Sequence, residues 1–367
     1  MTPVLDSLDV PRAWAASRGR GVTVAVLDSG VDASQADLAG NVVTGPDYAA
    51  GAAPSGSVPK RLHGTNMASV IAGHGHGPGN EDGMMGVAPE AHVLSLRVIL
   101  EQDEAGYDRF NGDKRYQGTI ARGIRYAVDH GADVVNLSLG RSYPVPAERD
   151  AVAYAISKGV VVVAAAGNGG ADRPAKRGGH TLYTYPASFP GVISVAAVDS
   201  AGRHAGFSNR NSAVVVSAPG VQIIGAGPGD QYWVGDGTSP ATAFVSGIAA
   251  LIRSRHPKMA PALVAQALVA STRSRPSGGY DLGVGFGRVN AAAALTASDG
   301  LAAARTSGLG ADPSTSVGGA SRVRVVRHPA GLVLGGTVAC LLALAGLAAS
   351  GILLFRRNAP ESNHFEI

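Results

Sequence analysis

The sequence predicts an α/β domain in which a parallel β-sheet is covered by helices on both faces. Strands of such a sheet are buried on both sides, so they are almost continuously apolar rather than alternating. Consecutive parallel strands also need long crossover connections, which are usually helices. Both features occur here, because helical patterns separate several of the apolar, β-branched runs at 21–28, 91–99, 133–140, 159–168 and 191–199.

Helical patterns fill several of the intervals and continue after the last of these strands. Their apolar residues recur at the spacing of one helix face. We expect helices at 119–130, 148–158, 239–255 and 261–271. The interval 100–116 is charged and contains glycine, so it predicts a surface loop.

The C-terminal part of the chain differs in composition from the predicted folded domain at 1–296. Residues 297–329 begin with Ala, Gly, Ser, Thr and Pro and contain no aromatic residue, which is typical of a flexible tether. The run 330–355 has no charged residue, and about 20 apolar residues suffice to span a membrane. We therefore predict one transmembrane helix at 330–355 and a short basic tail at 356–367.

Composition excludes several classes of protein. The formal net charge is only +4 and the basic residues are scattered, so nucleic acid is not a predicted partner. Hydrophobic residues make up 45% of the 367 residues, which suits a large core and excludes disorder for most of the chain. Cys340 is the single cysteine, so no disulfide can form within the chain.

Three residues at the ends of predicted elements carry groups suited to nucleophilic catalysis. Asp28 ends the first apolar run, at the edge of a parallel sheet where sites usually form. His63 begins a helical segment, whose dipole is expected to hold the imidazole neutral, as a general base requires. Ser239 stands just before Pro240 at the start of a helix. Alone, Asp28 is equally well explained as a turn or capping residue, and for His63 and Ser239 a capping role is the better explanation. Together, however, they follow the order Asp, His, Ser.

The motifs around these residues resemble the catalytic motifs of the subtilisin family of serine endopeptidases. They read VAVLDSGVD around Asp28, HGTNMASVIAG from His63 and GTSPATAFVSG around Ser239. The resemblance runs from about residue 5 to residue 294 and includes the segments NLSLG and AAAGNGG. It implies a subtilisin-like fold and a polypeptide substrate.

The resemblance also implies a role for each site residue, and we expect no cofactor or metal to take part. Ser239 would attack the substrate carbonyl after His63 takes its proton, giving an acyl-enzyme, and Asp28 would orient the His63 ring. The side-chain amide of Asn168 and the backbone N–H of Ser239 would stabilise the oxyanion. One wall of the substrate pocket would be formed by Ser138, Leu139 and Gly140.

The chain departs from the family pattern in two ways. At three positions the residue differs from the one that is common in the family, but these differences leave every catalytic group in place: Asn66, Pro240 and Ala243. The glycine-rich segment 74–85 does not resemble the family's calcium loop, and it predicts a mobile surface loop. Metal binding by His74 and His76 is the alternative interpretation of that segment.

The order of folded domain, tether, membrane helix and basic tail resembles the mycosins, membrane-anchored proteases associated with type VII secretion in actinobacteria. This implies a single-pass protein of the cell membrane, associated with a secretion complex, with the catalytic domain outside and 356–367 in the cytoplasm. Arginines flank the span on both sides, so a domain that faces inward is an alternative. A second alternative is that the protein is a catalytically silent scaffold of a secretion complex. The first residues lack the features of a signal peptide, and we expect one upstream of Met1.

Overall fold

The structure, a computed structural model, describes residues 1–171 and 179–308. In this part of the chain, seven parallel strands form a central sheet in the order β2-β5-β1-β6-β7-β8-β9, and the antiparallel pairs β3-β4 and β10-β11 lie outside it. The strands are β1 (Thr23–Asp28), β2 (Val42–Asp47), β3 (His74–His76), β4 (Asp82–Met85), β5 (His92–Arg97), β6 (Val134–Leu137), β7 (Val161–Ala165), β8 (Ile193–Val198), β9 (Val214–Pro219), β10 (Ile223–Gly227) and β11 (Gln231–Gly235).

Helices cover both faces of the central sheet. In chain order they are α1 (Thr2–Ser7), α2 (Val10–Ala13), α3 (Leu62–Ala72), α4 (Tyr107–Gly112), α5 (Thr119–Asp129), α6 (Pro146–Ser157), α7 (Thr238–Arg255), α8 (Pro261–Ala270) and α9 (Ala291–Gly308). Alternate side chains of a strand enter opposite cores. In β1, Val24 and Val26 share a core with α3 and α7, whereas Ala25 and Leu27 share one with α5 and α6. The predicted α/β architecture with a parallel sheet is confirmed.

The two edge strands of the central sheet, β2 and β9, are not among the strands predicted from the sequence. The residues of β2 (VVTGPD) are largely exposed and include Gly and Pro, so no apolar run marks them. In β9 the apolar run is only three valines long before Ser217. Pairing with β5 and β8, rather than a strong local pattern, makes these segments strands.

The interval 100–116 is more ordered than the predicted surface loop. It contains α4 and a 3₁₀ turn at Lys114–Tyr116. Leu100, Phe110 and Tyr116 form a small buried cluster with Ala49 and Ala52. The apolar residues scattered among the charges therefore hold this insertion against the body of the domain.

The segment 74–85 forms the short hairpin of β3 and β4 instead of a loop without secondary structure. His76 is held by Asp37, a fully buried carboxylate whose Oδ1 lies 2.6 Å from His76 Nδ1. The other oxygen of Asp37 accepts hydrogen bonds from the backbone of Met84 and the hydroxyl of Tyr232. In the part of the chain that the structure describes, no cluster of His, Cys, Asp and Glu side chains is arranged to hold a metal ion.

Helix α9 extends to Gly308, so the predicted tether does not begin at residue 297. Ser298 is fully buried, and Ala297 and Leu301 pack against the core. Alanine is the strongest helix former, so an Ala-rich segment that follows a helical turn continues it. The remainder of the tether, the predicted membrane helix at 330–355 and the tail at 356–367 lie outside the described residues. Among the helices that the structure describes, none has both the length and the apolar character needed to cross a membrane.

Candidate active site

Asp28 and His63 are in contact where β1 and α3 meet. Asp28 is the last residue of β1 and is fully buried. Its Oδ1 atom accepts a hydrogen bond from the Ser29 backbone at 2.7 Å and lies 2.8 Å from Nδ1 of His63. An ionised carboxylate can only accept a hydrogen bond, so the contact places the proton on Nδ1 and leaves Nε2 as the basic nitrogen.

A glycine allows α3 to approach the end of β1 this closely. A Cβ atom on Gly64 would lie 2.2 Å from the backbone oxygen of Gly30. The first N–H groups of a helix have no partners within the helix. Here the Oε1 atom of Glu101 accepts from the His63 N–H at 2.9 Å. The Ser29 hydroxyl accepts from the Gly64 N–H at 3.1 Å, so neighbouring loops fix the position of His63.

The pKa of the His63 imidazole is raised above its ordinary value. Burial lowers this pKa, but the carboxylates of Asp28 and Glu101 more than offset that effect by stabilising the protonated ring. The expectation that the helix dipole holds the ring neutral is therefore wrong in direction. Two nearby full charges act more strongly than the partial charge at a helix end.

Ser239 lies in the first turn of α7 and does not serve as its N-cap, which is Gly237. The Ser239 hydroxyl donates a hydrogen bond to the Ser138 carbonyl at 3.0 Å. The Ser138 hydroxyl donates in return to the Ser239 carbonyl, also at 3.0 Å. Within the described residues no hydrogen bond joins Ser239 to His63. Proton transfer between them would require the Ser239 side chain to rotate away from Ser138.

His63 and Ser239 nevertheless line the same cavity, which has a volume of about 410 Å³ and also includes Asn168. His63 is the more open of the Asp–His pair, with 37% of its side chain exposed. Apolar side chains form much of the remaining wall: Leu62, Met67, Trp233, Val234 and Pro240. The fold thus gathers into one place the four residues that the motif resemblance marks as catalytic.

The side-chain amide of Asn168 has a fixed orientation. Its Oδ1 atom accepts hydrogen bonds from both the backbone N–H and the hydroxyl of Thr238, each at 2.9 Å. A backbone N–H can only donate, so the oxygen must face Thr238 and the NH₂ group must point elsewhere. That NH₂ group lies 3.5 Å from where a Cβ on Gly237 would stand, beside Ser239. Thr238 therefore presents Asn168 as a hydrogen-bond donor at the start of α7.

The three predicted substrate-binding residues line a second cavity, which His63 also borders. Ser138, Leu139 and Gly140 follow β6 and line a cavity of about 730 Å³. Gly140 also borders a separate cavity of about 450 Å³ that reaches Asn168. The larger cavity receives much of its wall from the insertion 100–116, which the sequence analysis assigned to the surface.

Sequence reasoning missed two residues of this site. Thr238 stands next to the nucleophile motif, but only the structure reveals that it holds Asn168, which is 70 positions away in the chain. Glu101 lies in an insertion whose charges could not be placed from the sequence. The one feature that could have placed Glu101 near the site is that the insertion follows β5, the strand beside β1.

Comparison with known proteins identifies the family of this chain. The profile of the subtilase family matches residues 19–287. Subtilisin from Bacillus pumilus is 38% identical over 278 residues, which cover 75% of this chain and 92% of that protein.

Several solved structures are similar to this one. One is MycP1, a serine protease described as an essential component of the type VII (ESX-1) secretion system. It aligns with a TM-score of 0.65 and 33% identity over 80% of this chain and 88% of MycP1. Fervidolysin from Fervidobacterium pennivorans, a keratinolytic enzyme related to subtilisin, aligns with a TM-score of 0.67 and 30% identity over 80% of this chain and 45% of its own.

The family match covers most of the chain and includes Asp28, His63, Asn168 and Ser239. The resemblance to subtilisins and mycosins that the motifs and architecture indicate is confirmed. The chain belongs to the subtilase family and is a subtilisin-like serine endopeptidase, a hydrolase of peptide bonds.

Proposed function

We propose that this endopeptidase uses Ser239 as its nucleophile, His63 as its general base and Asp28 as the residue that orients and stabilises the His63 ring. The observation that carries the proposal is the 2.8 Å contact between Asp28 Oδ1 and His63 Nδ1, on a ring that shares a cavity with Ser239. The tautomer set by this contact leaves Nε2 free to accept the serine proton.

In the proposed reaction, binding of a polypeptide displaces the Ser239 hydroxyl from the Ser138 carbonyl towards His63 Nε2. Apo structures commonly lack the catalytic hydrogen bond that forms in the substrate complex. Ser239 Oγ then attacks the peptide carbonyl carbon as its proton passes to Nε2. The tetrahedral intermediate collapses when His63 returns this proton to the leaving amine, which gives the acyl-enzyme. Water, deprotonated by His63, hydrolyses the acyl-enzyme and restores Ser239.

We propose that the NH₂ group of Asn168 and the backbone N–H of Ser239 donate hydrogen bonds to the carbonyl oxygen as it gains negative charge. Pre-oriented donors act mainly in the transition state, because the charge develops there. The two hydrogen bonds from Thr238 support this role, since they orient the Asn168 amide before substrate binds.

A serine-reactive fluorophosphonate tests the assignment of the nucleophile. We expect the probe to label one residue, and peptide mapping by mass spectrometry should place it on Ser239. Labelling should disappear in His63→Ala and in heat-denatured protein, because an unactivated serine reacts poorly. A label on any other serine would contradict the proposed triad, and no label on native protein would favour a silent scaffold.

Replacement of Asn168 by alanine is expected to lower kcat by about 10² to 10³, the effect of removing an oxyanion donor from subtilisin. KM should change little, because the donor acts mainly in the transition state. Thr238→Val keeps the backbone hydrogen bond to Asn168 and loses the hydroxyl one, so we expect a smaller loss of kcat. Steady-state kinetics on a chromogenic peptide measure both effects. An unchanged kcat in Asn168→Ala would leave Asn168 as a structural turn residue.

We propose that residues 330–355 anchor the enzyme in the cell membrane as a single helix, with the catalytic domain outside the cell and 356–367 in the cytoplasm. The support is the uncharged apolar run itself, long enough for a span. Large domains cross the membrane largely regardless of flanking charges, so the arginines on both sides do not oppose this orientation.

Treatment of intact cells with an external protease tests this topology. Cleavage between α9 and residue 330 should release an active soluble fragment of roughly the size of a large single domain. A cytoplasmic enzyme of known location serves as the control for cell integrity. Release of the fragment only after lysis would place the domain inside the cell.

We also propose that the enzyme works alongside a protein-secretion complex. The support is the likeness to MycP1, which is itself described as a component of such a system. We expect the full chain, extracted in mild detergent, to co-purify with membrane components of a secretion system. Recovery of the full chain by itself at its monomer size, from cells in which the secretion system is assembled, would count against the association.

A further inference from the structure

Glu101 lies where two cavities of the active site meet. It lines the 730 Å³ cavity that contains Ser138 and the 410 Å³ cavity that contains Ser239. Its side chain is half-buried, and its Oε1 atom accepts a hydrogen bond from the backbone N–H of His63 at 2.9 Å. A polypeptide that extends from one cavity into the other would pass this carboxylate.

The other charged side chains around the larger cavity already have ionic partners. These pairs are Asp103–Lys60, Arg141–Glu148 and His63–Asp28. Glu101 has no ion-pair partner within the described residues. Lys60 is close enough for its charge to interact with that of Glu101, but Asp103 binds its amine. Of the two carboxylates that line the larger cavity, Glu101 is thus the one whose charge no cation of the described residues neutralises directly.

We propose that Glu101 determines specificity by binding the side chain of a lysine or arginine close to the scissile bond of the substrate. One of its oxygens is used by the His63 N–H, and the other is available to a ligand. The neighbouring walls are apolar, from Leu62 and Ile99. Basic side chains suit such a place because they lay an aliphatic stem on apolar surface and a cation on a carboxylate. This inference rests on the proposed peptidase site.

A purely structural role for Glu101, as the acceptor at the start of α3, must be separated from this one. Glu101→Gln makes the separation possible, because an amide oxygen can still accept from the His63 N–H while the charge is lost. Asp236→Asn is the matched control. Asp236 lines the same cavity as Ser239, and its carboxylate also accepts from a backbone N–H, that of Gln222.

The experiment uses peptides in which one position at a time, on either side of the scissile bond, is lysine, norleucine or glutamate. The enzyme should prefer lysine over norleucine at one position, with glutamate worst. In Glu101→Gln the ratio of kcat/KM for lysine over norleucine should fall by about tenfold, the effect of one charge-assisted hydrogen bond at a partly exposed site. In Asp236→Asn the ratio should stay within about twofold of wild type, because a charge outside the contact acts only weakly through solvent.

Each result has a distinct meaning. Equal cleavage of the lysine and norleucine peptides by wild type overturns the role of Glu101 in specificity but does not contradict the peptidase mechanism. An equal loss of selectivity in both variants also overturns it, because the effect would then come from the general field of the cleft. Cleavage of no peptide by wild type would instead contradict the proposed peptidase site. Melting temperatures of the three proteins verify that the variants are folded.

Discussion

Replacing Ser239 with alanine is expected to abolish peptidase activity and to leave the domain folded. In subtilisin itself, loss of the nucleophile lowers turnover by about 10⁶, and we expect a loss of that order here. The fold should tolerate the change, because the side chain becomes smaller and loses one hydrogen bond, to the Ser138 carbonyl, worth about 1 kcal/mol. Hydrolysis of a peptide substrate and the melting temperature measure the two effects separately.

Ser254→Ala is a matched control on the same helix. Its hydroxyl also donates to a backbone carbonyl, that of Arg20, at 2.8 Å, and it lies at the opposite end of α7 from Ser239. We expect this variant to have wild-type turnover. Without a nucleophile, the residual activity should be far below a hundredth of the wild-type value. If Ser239→Ala kept more than about a hundredth of wild-type activity, Ser239 would not be the nucleophile.

The second large effect is expected for Asp28→Asn, with a loss of kcat of about 10⁴ at neutral pH. An asparagine in this place can turn its NH₂ group towards Nδ1 of His63. That hydrogen bond would put the ring proton on Nε2, the nitrogen that has to accept the proton of Ser239. Asp32→Asn, in the loop after β1, makes the same chemical change outside the site and should keep most of the activity.

The pH dependence gives a second measure of the same substitution. His63 must be neutral to act as a base, and its pKa is raised, so the acidic limb of kcat/KM should lie above the ordinary histidine pKa. The charge of Asp28 contributes to this raised pKa, so its removal should move the limb to lower pH. A profile from pH 5 to about pH 9 brackets the histidine range. A limb that does not move in Asp28→Asn would mean that another group controls it.

Much of the fold was predictable because the central strands carry their own signal. A strand buried on both faces must be apolar at almost every position, as β1, β6, β7 and β8 are, so its pattern needs no knowledge of its neighbours. Edge strands lack this constraint, which is why β2 was missed. The insertion 100–116 was misjudged for a related reason, since its few apolar residues become a core only when they meet Ala49 and Ala52.

Some features of the candidate site were likewise predictable from the sequence, and others were not. By itself, the sequence determined the types and order of the reactive residues, Asp28, His63 and Ser239, because these lie in contiguous motifs. Tertiary structure alone decided the direction of the His63 pKa shift, the rotamer of Ser239 and the orientation of the Asn168 amide. Each of these depends on a group from a distant part of the chain, such as Glu101, Ser138 or Thr238. Charge and hydrogen-bond effects act over a few ångströms in space, and only the folded chain sets which groups come that close.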